Sequence, residues 1–331
     1  MTDPFRAGFV TVVGRPNVGK STLINALLGQ KVAAVSPRPQ TTRRKQLGIL
    51  TNAQAQVVFM DTPGLHKPVH KLGEYMNAIA ALTLQDADLI LWLVAVDEDP
   101  SEEDRLVAEK LAALSSAPPV FLLLNKADLL KRSAVEERGR LYAELLPAAR
   151  VFPTSATAKI GLAALLAAII EQLPAGEPFY DEEQVTDLYE REIAADLIRE
   201  AALLSLREEI PHAIAVRVDE YKERSEEMAY ISATIFVERE SHKGIVIGQG
   251  GAMLKQIGMH ARKQIEEMAG RKIFLELRVK LNKNWRDEPG ALRLPVAQPV
   301  RGAPRPLRDL ADRAILLPFE QKDGWHFFLP G

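Results

Sequence analysis

The sequence predicts an α/β domain built on a mostly parallel sheet, followed by a smaller α+β domain. Three observations predict it. The first half alternates strand-length apolar runs with helical stretches, the pattern of a parallel sheet with helices on both faces. The loop Gly14-Arg15-Pro16-Asn17-Val18-Gly19-Lys20-Ser21 fits G-x-x-x-x-G-K-[ST] and lies between the first run and the first helix, the context that gives the pattern meaning. After a Pro/Gly break near residue 174 the chain restarts with a different order of elements around a second glycine loop.

The first run, Phe9-Val10-Thr11-Val12-Val13, reads as a buried strand, and Ser21 to Leu28 as a helix. Glycines between them let successive backbone N–H groups converge on one anion, and the helix N-terminus adds partial positive charge. Lys20 is expected to reach the outer phosphates of a nucleotide and the Ser21 hydroxyl to ligate Mg²⁺, with Thr22 completing the loop.

The next segment, Ser36 to Lys45, is polar and broken by two prolines, Pro37 and Pro39, so it is expected to be a loop. Its Gln40-Thr41-Thr42-Arg43-Arg44 stretch is the candidate switch loop. Thr42, beside Arg43, is the expected Mg²⁺ ligand, with Thr41 the alternative; a threonine there orders the loop when a γ-phosphate is present.

The run Gln56-Val57-Val58-Phe59-Met60, alternating and then apolar, precedes Asp61-Thr62-Pro63-Gly64-Leu65. A carboxylate at a strand end can hold Mg²⁺ through water, and the Gly64 N–H can meet a γ-phosphate. Leu65 stands where Ras-like switches carry a glutamine that orients the attacking water, and leucine cannot do that.

A strongly apolar strand, Val120 to Leu124, then leads into Asn125-Lys126-Ala127-Asp128. Asp128 can accept two hydrogen bonds from the ring N–H and exocyclic amine of guanine, a donor pair that adenine lacks, so such a site rejects adenine. Asn125 is expected to fix the guanine edge and the Lys126 stem to cover the base. Ser155-Ala156 follows Arg150 to Thr154, and its backbone is expected to reach the guanine carbonyl oxygen. GTP or GDP is therefore the expected ligand.

Strands are expected near 8–13, 46–51, 56–60, 88–96, 119–124 and 150–153, and helices near 20–28, 72–84, 102–115, 133–145 and 161–172. Every motif then falls at the C-terminal end of a strand, where open α/β sheets bind ligands.

Leu173 to Tyr180, with two prolines, a glycine and no helical period, reads as a linker. Thr186 to Leu206 follows as an amphipathic helix. Ala213 to Val218 and Ala229 to Val237 alternate like strands. Lys243-Gly244-Ile245-Val246-Ile247-Gly248-Gln249-Gly250-Gly251 comes next, then a helix to about residue 268 and a last strand, Ile273 to Val279.

Helix, strand, strand, helix, G-x-x-G, helix, strand is the order of a type II KH domain. Its glycine loop lets an RNA backbone lie against a helix N-terminus, beside a groove for about four nucleotides. Many such loops carry a lysine in the variable pair. Here that pair is Gln249 and Gly250, so Lys243 and Lys255 are expected to supply charge. Between residues 241 and 286 ten basic side chains face three acidic ones, which makes this half the expected phosphate-facing side. The candidate RNA contacts are Lys243, Gly244, Ile247, Gly248, Gln249, Gly250, Gly251, Lys255, Arg262, Lys280, Lys283, Trp285 and Arg286.

With 331 residues, 47% hydrophobic and 26% charged, the chain is in the range of a two-domain globular protein. Zero cysteines exclude disulfides and thiolate zinc sites. No apolar run reaches the roughly 20 residues of a membrane span, and Met1 to Arg6 lack a signal peptide's apolar core. A cytoplasmic monomer is the expectation.

The wording of the motifs resembles the Era family of bacterial ribosome-assembly GTPases. It carries G-R-P-N-V-G-K-S-T-L, P-Q-T-T-R, D-T-P-G, N-K-A-D, S-H-K-G-I-V-I-G and V-K-L-N-K-N-W-R, spread over residues 6 to 286. The resemblance implies a P-loop GTPase domain at 6–173, a linker at 174–185 and a type II KH domain at 186–286. It also implies GTP hydrolysis coupled to binding the 3′ end of small-subunit ribosomal RNA, with the small ribosomal subunit as partner and peripheral association with the inner membrane. Asn17, together with an apolar residue after D-x-x-G, resembles the potassium-stimulated GTPases, where K⁺ acts beside the phosphates; the other reading is that Asn17 tolerates a tight turn. Residues 287–331 fall outside the resemblance and read as a Pro-rich extension, with a short helix near 307–317 and an aromatic tip of Trp325, Phe327 and Phe328.

Overall fold

The computed structural model describes residues 4–35, 46–62, 83–84, 87–114, 118–147, 149–187, 190–207, 210–225 and 227–283. The expected switch loop, Pro63, Gly64 and Leu65, nearly all of the helix expected at 72–84, Trp285, Arg286 and the C-terminal extension lie outside these residues.

The first domain comprises β1 (Arg6–Val13), α1 (Lys20–Leu28), β2 (Gln46–Thr51), β3 (Ala55–Asp61), β4 (Leu89–Ala95), α2 (Glu102–Ala112), β5 (Val120–Asn125), α3 (Arg132–Leu145), β6 (Arg150–Pro153) and α4 (Leu162–Gln172). The six strands form one sheet in the order β2-β3-β1-β4-β5-β6. Every neighbouring pair is parallel except β2 with β3, which is antiparallel.

Burial on both faces explains why β4 reads as an unbroken apolar run. Alternate residues of β4 go to opposite faces. Leu89, Leu91 and Leu93 join Val10, Val12, Phe59 and α4 residues Leu165 and Ile169. Ile90, Trp92 and Val94 join Val107 and Leu111 of α2 and Tyr142 of α3. Each such side chain removed from water contributes about 1.5–3 kcal/mol. Helix α2 starts at a reciprocal cap: the Asp104 N–H donates to Ser101 Oγ at 3.2 Å and the Ser101 N–H donates to Asp104 Oδ2 at 3.0 Å.

The stretch expected to be a plain linker is bound along the sheet. The Ala7 N–H donates to the Pro174 carbonyl at 3.1 Å, and the Ile49 N–H to the Val185 carbonyl at 2.9 Å. Phe179 stacks on Phe9 with ring centroids 4.9 Å apart. The fully buried Gln56 donates to the Tyr180 carbonyl at 2.8 Å and accepts from the Phe179 and Tyr180 N–H groups at 2.6 and 2.9 Å. Composition suggested a tether because prolines and glycine lack a helical period; pairing to a sheet edge needs none.

The second domain comprises α5 (Glu190–Ser205), β7 (Ile214–Ser225), β8 (Met228–Val237), α6 (Glu240–Ile247), α7 (Ala252–Ala269) and β9 (Lys272–Leu281). Its sheet order is β7-β8-β9, with β7/β8 antiparallel and β8/β9 parallel. Helix α7 turns Ile257, Ala261 and Ile265 inward at four-residue spacing, against Leu197, Ile198 and Ala201 of α5 and Ile231, Ala233 and Ile235 of β8.

Strand β7 runs to Ser225, well beyond the expected Val218. Its outer half is a charged ribbon in solvent, so the apolar alternation that marks a strand stops before the strand does.

Glu200 of α5, 3% exposed, meets the residues just ahead of the expected switch loop. It accepts from Lys31 Nζ at 2.7 Å and from the Val35 N–H at 2.9 Å, and Gln264 of α7 donates to it at 3.2 Å.

Candidate nucleotide site and glycine loop

The strand ends bring the first set of motifs together. Val18 is fully buried beneath the Gly14–Ser21 loop. Asn17 adopts a left-handed φ of 65°, a conformation that asparagine tolerates. Gly19, φ +103°, is required twice over: a Cβ there would lie 2.5 Å from Asn125 Nδ2.

Lys20 is 7% exposed and donates to the carbonyls of Gly14 and Arg15 at 3.0 and 2.9 Å. Burial lowers its amine from 10.5 to about 8, against the attraction of Asp61. The Ser21 hydroxyl donates to Asp61 Oδ2 at 2.7 Å, so the ends of β3 and the loop already meet. Thr22 is half-buried in the first turn of α1. Thr62 is fully buried and its hydroxyl donates to the Val12 carbonyl at 2.8 Å, which makes its side chain a brace between β1 and β3.

Two side chains do something other than what the motif suggests. Asn125 is 3% exposed. Its amide donates to the Val18 carbonyl at 2.7 Å and accepts from the Ala156 N–H at 3.1 Å. It stitches the first loop to the last one, whereas the sequence offered it to the guanine edge. Arg15 is bound to Glu98, and its Nε lies 3.2 Å from Asp104, which has no exposure. The Tyr142 hydroxyl donates to the Glu98 carbonyl at 3.2 Å beside them. Arg15 thus ties the loop to the start of α2, beside the half-buried Pro16.

On the base side, Ala127 begins a short 3₁₀ turn, Ala127–Leu129, and its N–H donates to the Thr154 carbonyl at 3.0 Å. Asp128 is exposed on that turn. Lys126, left-handed at φ 63°, holds its Nζ 3.4 Å from Asp97. The Ser155 N–H, expected to meet the base, is instead paired with the Ile160 carbonyl at 3.0 Å, while Ser155 Oγ accepts from the Ala158 N–H at 3.0 Å. A closed loop uses its own donors, and the sequence does not show that closure.

The second glycine loop sits between α6 and α7. Gly248 has φ 74° and ψ 172°, and a Cβ there would lie 2.8 Å from the Met253 nitrogen. Gly250 and Gly251 are left-handed but face open space. Gln249 and Gly244 are exposed and Ile247 is half-buried. Ile245, 49% exposed, stands in the helix just before the loop. Nothing in an apolar helix run marks beforehand which member faces water. Lys255 and Arg262 are exposed two turns apart on α7, Lys280 and Lys283 are exposed on and just after β9, and Lys243 lies 3.4 Å from Glu240.

Fold and loops together define a P-loop GTP-binding domain followed by a KH domain. The 50S ribosome-binding GTPase family model matches residues 9–126, and the KH domain model matches residues 209–286. GTPase Era of Ruminiclostridium cellulolyticum is 44% identical over 289 residues, covering 87% of this chain and 96% of its own. GTPase Era of Lacticaseibacillus paracasei is 46% identical, covering 85% and 93%. A crystal structure of Era in complex with MgGDPNP and nucleotides 1506–1542 of 16S ribosomal RNA superposes with a TM-score of 0.84 at 38% identity, covering 88% of this chain and 98% of that one. The chain belongs to the Era GTPase family.

Proposed function

We propose that this GTPase is a nucleotide switch that carries the 3′ end of small-subunit ribosomal RNA on its KH domain and assists small-subunit assembly. The observation that carries the reading is one chain holding both the Lys20, Ser21–Asp61 and Asp128 constellation and a G-x-x-G loop, on a fold shared with Era in complex with MgGDPNP and 16S ribosomal RNA. We assign the nucleotide domain to 6–173, the bound strap to 174–185 and the KH domain to 186–286. Its place is the cytoplasm; no helix among the described residues is long and apolar enough to cross a membrane.

In this reading Lys20 leaves its two carbonyls for the outer phosphates. Ser21 and Asp61 are hard oxygen donors 2.7 Å apart, suited to Mg²⁺, with Asp61 acting through water. The ion neutralises phosphate charge as it builds up on hydrolysis. Asp128 reads the guanine edge, the Lys126 stem, held by Asp97, lines the base, and Asn125 keeps both loops in register. The Glu200 contacts to Lys31 and Val35 give the switch loop a direct route to the KH domain.

The test is equilibrium binding of a labelled small-subunit 3′-end RNA to the GTP-analogue and GDP forms at two salt concentrations. Binding should depend on the nucleotide and fall steeply with salt, as phosphate contacts require. Salt-insensitive or absent binding would leave a GTPase whose second domain serves a protein partner.

Two further outcomes are expected. Asp128→Ala should weaken guanine nucleotides by roughly a hundredfold and erase the preference over adenine, because the pair of hydrogen bonds to a charged acceptor is lost. Asp128 is exposed, so the melting temperature of the nucleotide-free protein should hold. Retained guanine preference would move the base site elsewhere.

The second outcome concerns protons. Burial holds the Lys20 amine near 8 in the folded chain, against 10.5 unfolded. Its destabilising effect is therefore full below the lower value and fades as pH rises to the upper one. Phosphates favour the charged amine, so nucleotide binding between those values should take up a proton. Binding heats measured in buffers of different ionisation enthalpy should differ at about pH 9; identical heats would contradict the assignment.

A further inference from the structure

We propose that the open face of the KH sheet is a second RNA surface, one that stacks unpaired bases on Phe274 and holds their phosphates with the arginines around it. The proposal rests on the RNA reading above. One G-x-x-G groove accommodates about four nucleotides, and the RNA in complex with the relative is longer, so RNA beyond the groove is at hand to meet a further surface.

The helices of this domain cover one face of β7-β8-β9. On the other, register places Tyr230 beside Phe274, Thr234 beside Arg278 and Phe236 beside Lys280. Phe274 is 58% exposed, and its ring lies parallel to that of Tyr230 within 25°, with centroids 5.9 Å apart. An exposed aromatic held parallel to a second one offers a base a ready stacking partner. Arg224 lies 5.0 Å over the Tyr230 ring and Arg217 5.0 Å over Phe236.

The arrangement is held from within. Tyr230 donates to Glu276 at 2.6 Å, and Arg278 reaches the same carboxylate at 2.7 Å. Arg217 likewise lies 2.7 Å from Asp219. Six basic side chains on the face, Arg217, Lys222, Arg224, Lys272, Arg278 and Lys280, outnumber its three acids, Asp219, Glu220 and Glu276. Excess positive charge interleaved with exposed aromatics is complementary to single-stranded nucleic acid. Because β9 borders α6 and α7, an RNA leaving the glycine loop needs only to round this edge strand to reach the face.

The experiment compares Phe274→Ala and Arg278→Ala with the parent protein, in the GTP-analogue form, on two RNAs. One spans nucleotides 1506–1542 of 16S ribosomal RNA; the other is a single strand short enough for the glycine-loop groove alone. Phe274→Ala should weaken the long RNA by about tenfold. Arg278→Ala should lower its salt dependence by about one unit of slope. Neither should change the short RNA or the rate of GTP hydrolysis, and Phe274→Tyr should restore the long RNA. Long-RNA binding unchanged in both alanine variants overturns the proposal while leaving the groove intact, and marks the face for a protein partner. Equal loss on both RNAs overturns it as well, since that outcome means the groove itself was disturbed. If the parent binds neither RNA, the RNA reading fails and the proposal falls with it.

Discussion

Lys20→Ala is expected to abolish nucleotide binding at ordinary concentrations without destabilising the empty protein. Hydrogen bonds to charged groups are worth about 1.5–3 kcal/mol each, and loss of the amine from two phosphates corresponds to roughly a hundredfold or more in Kd. The stability arm runs the opposite way. Without nucleotide phosphates to offset it, burial penalises the charged amine, which its drop to about 8 records. Alanine removes that penalty, at the cost of two carbonyls, Gly14 and Arg15, that lose a donor. The two changes oppose each other, so the melting temperature without nucleotide should move little. The parent should gain thermal stability with GDP according to RT ln(1 + [L]/Kd), and the variant should gain almost none. Differential scanning fluorimetry with and without GDP reads both arms. A variant that unfolds many degrees early would show Lys20 to be a structural brace; one that still responds to GDP would place the phosphates elsewhere.

The second large effect is expected from Gly251→Asp. Gly251 sits at the N-terminal end of α7, left-handed at φ 82°, and a Cβ there meets nothing within 4 Å. Aspartate tolerates that conformation better than most residues, and a carboxylate at a helix N-terminus is favourable by about 0.3–1 kcal/mol. The fold should therefore survive. An RNA phosphate lying against that helix end would meet a negative charge, so RNA binding should fall at least tenfold, more at low salt, where screening is weaker. GTP hydrolysis without RNA should hold. Gly248→Ala is a different experiment, because its Cβ would strike Met253 backbone and distort the helix start. RNA binding by Gly251→Asp that equals the parent's would remove the glycine loop from the RNA path.

The nucleotide motifs were legible because a phosphate loop is local chemistry. Glycines, one lysine and one hydroxyl must follow one another along the chain, and the flanking strand and helix declare themselves by burial. The G-x-x-G loop was legible for the same reason. Asn125 shows where this stops. Its type and place were readable, yet its amide is engaged by Val18 and Ala156, 107 and 31 residues away along the chain, separations that no local window spans. Arg15 and Asp104 likewise meet across the fold. Residues 174–185 looked like a tether, and only pairing to the sheet and Gln56 reveals a strap. Phe274 read as one more strand residue until the register put it on a face without helices.

By itself, then, the sequence determined the two folds, their order, the guanine-nucleotide motifs and the place of the G-x-x-G loop, since each depends on residues that are neighbours in the chain or periodic along it. Only the tertiary structure decided which motif side chains brace loops, how Glu200 joins α5 to the residues before the switch loop, and which face of the KH sheet stays open. Those outcomes depend on contacts between distant segments and on which polar groups burial forces to find partners.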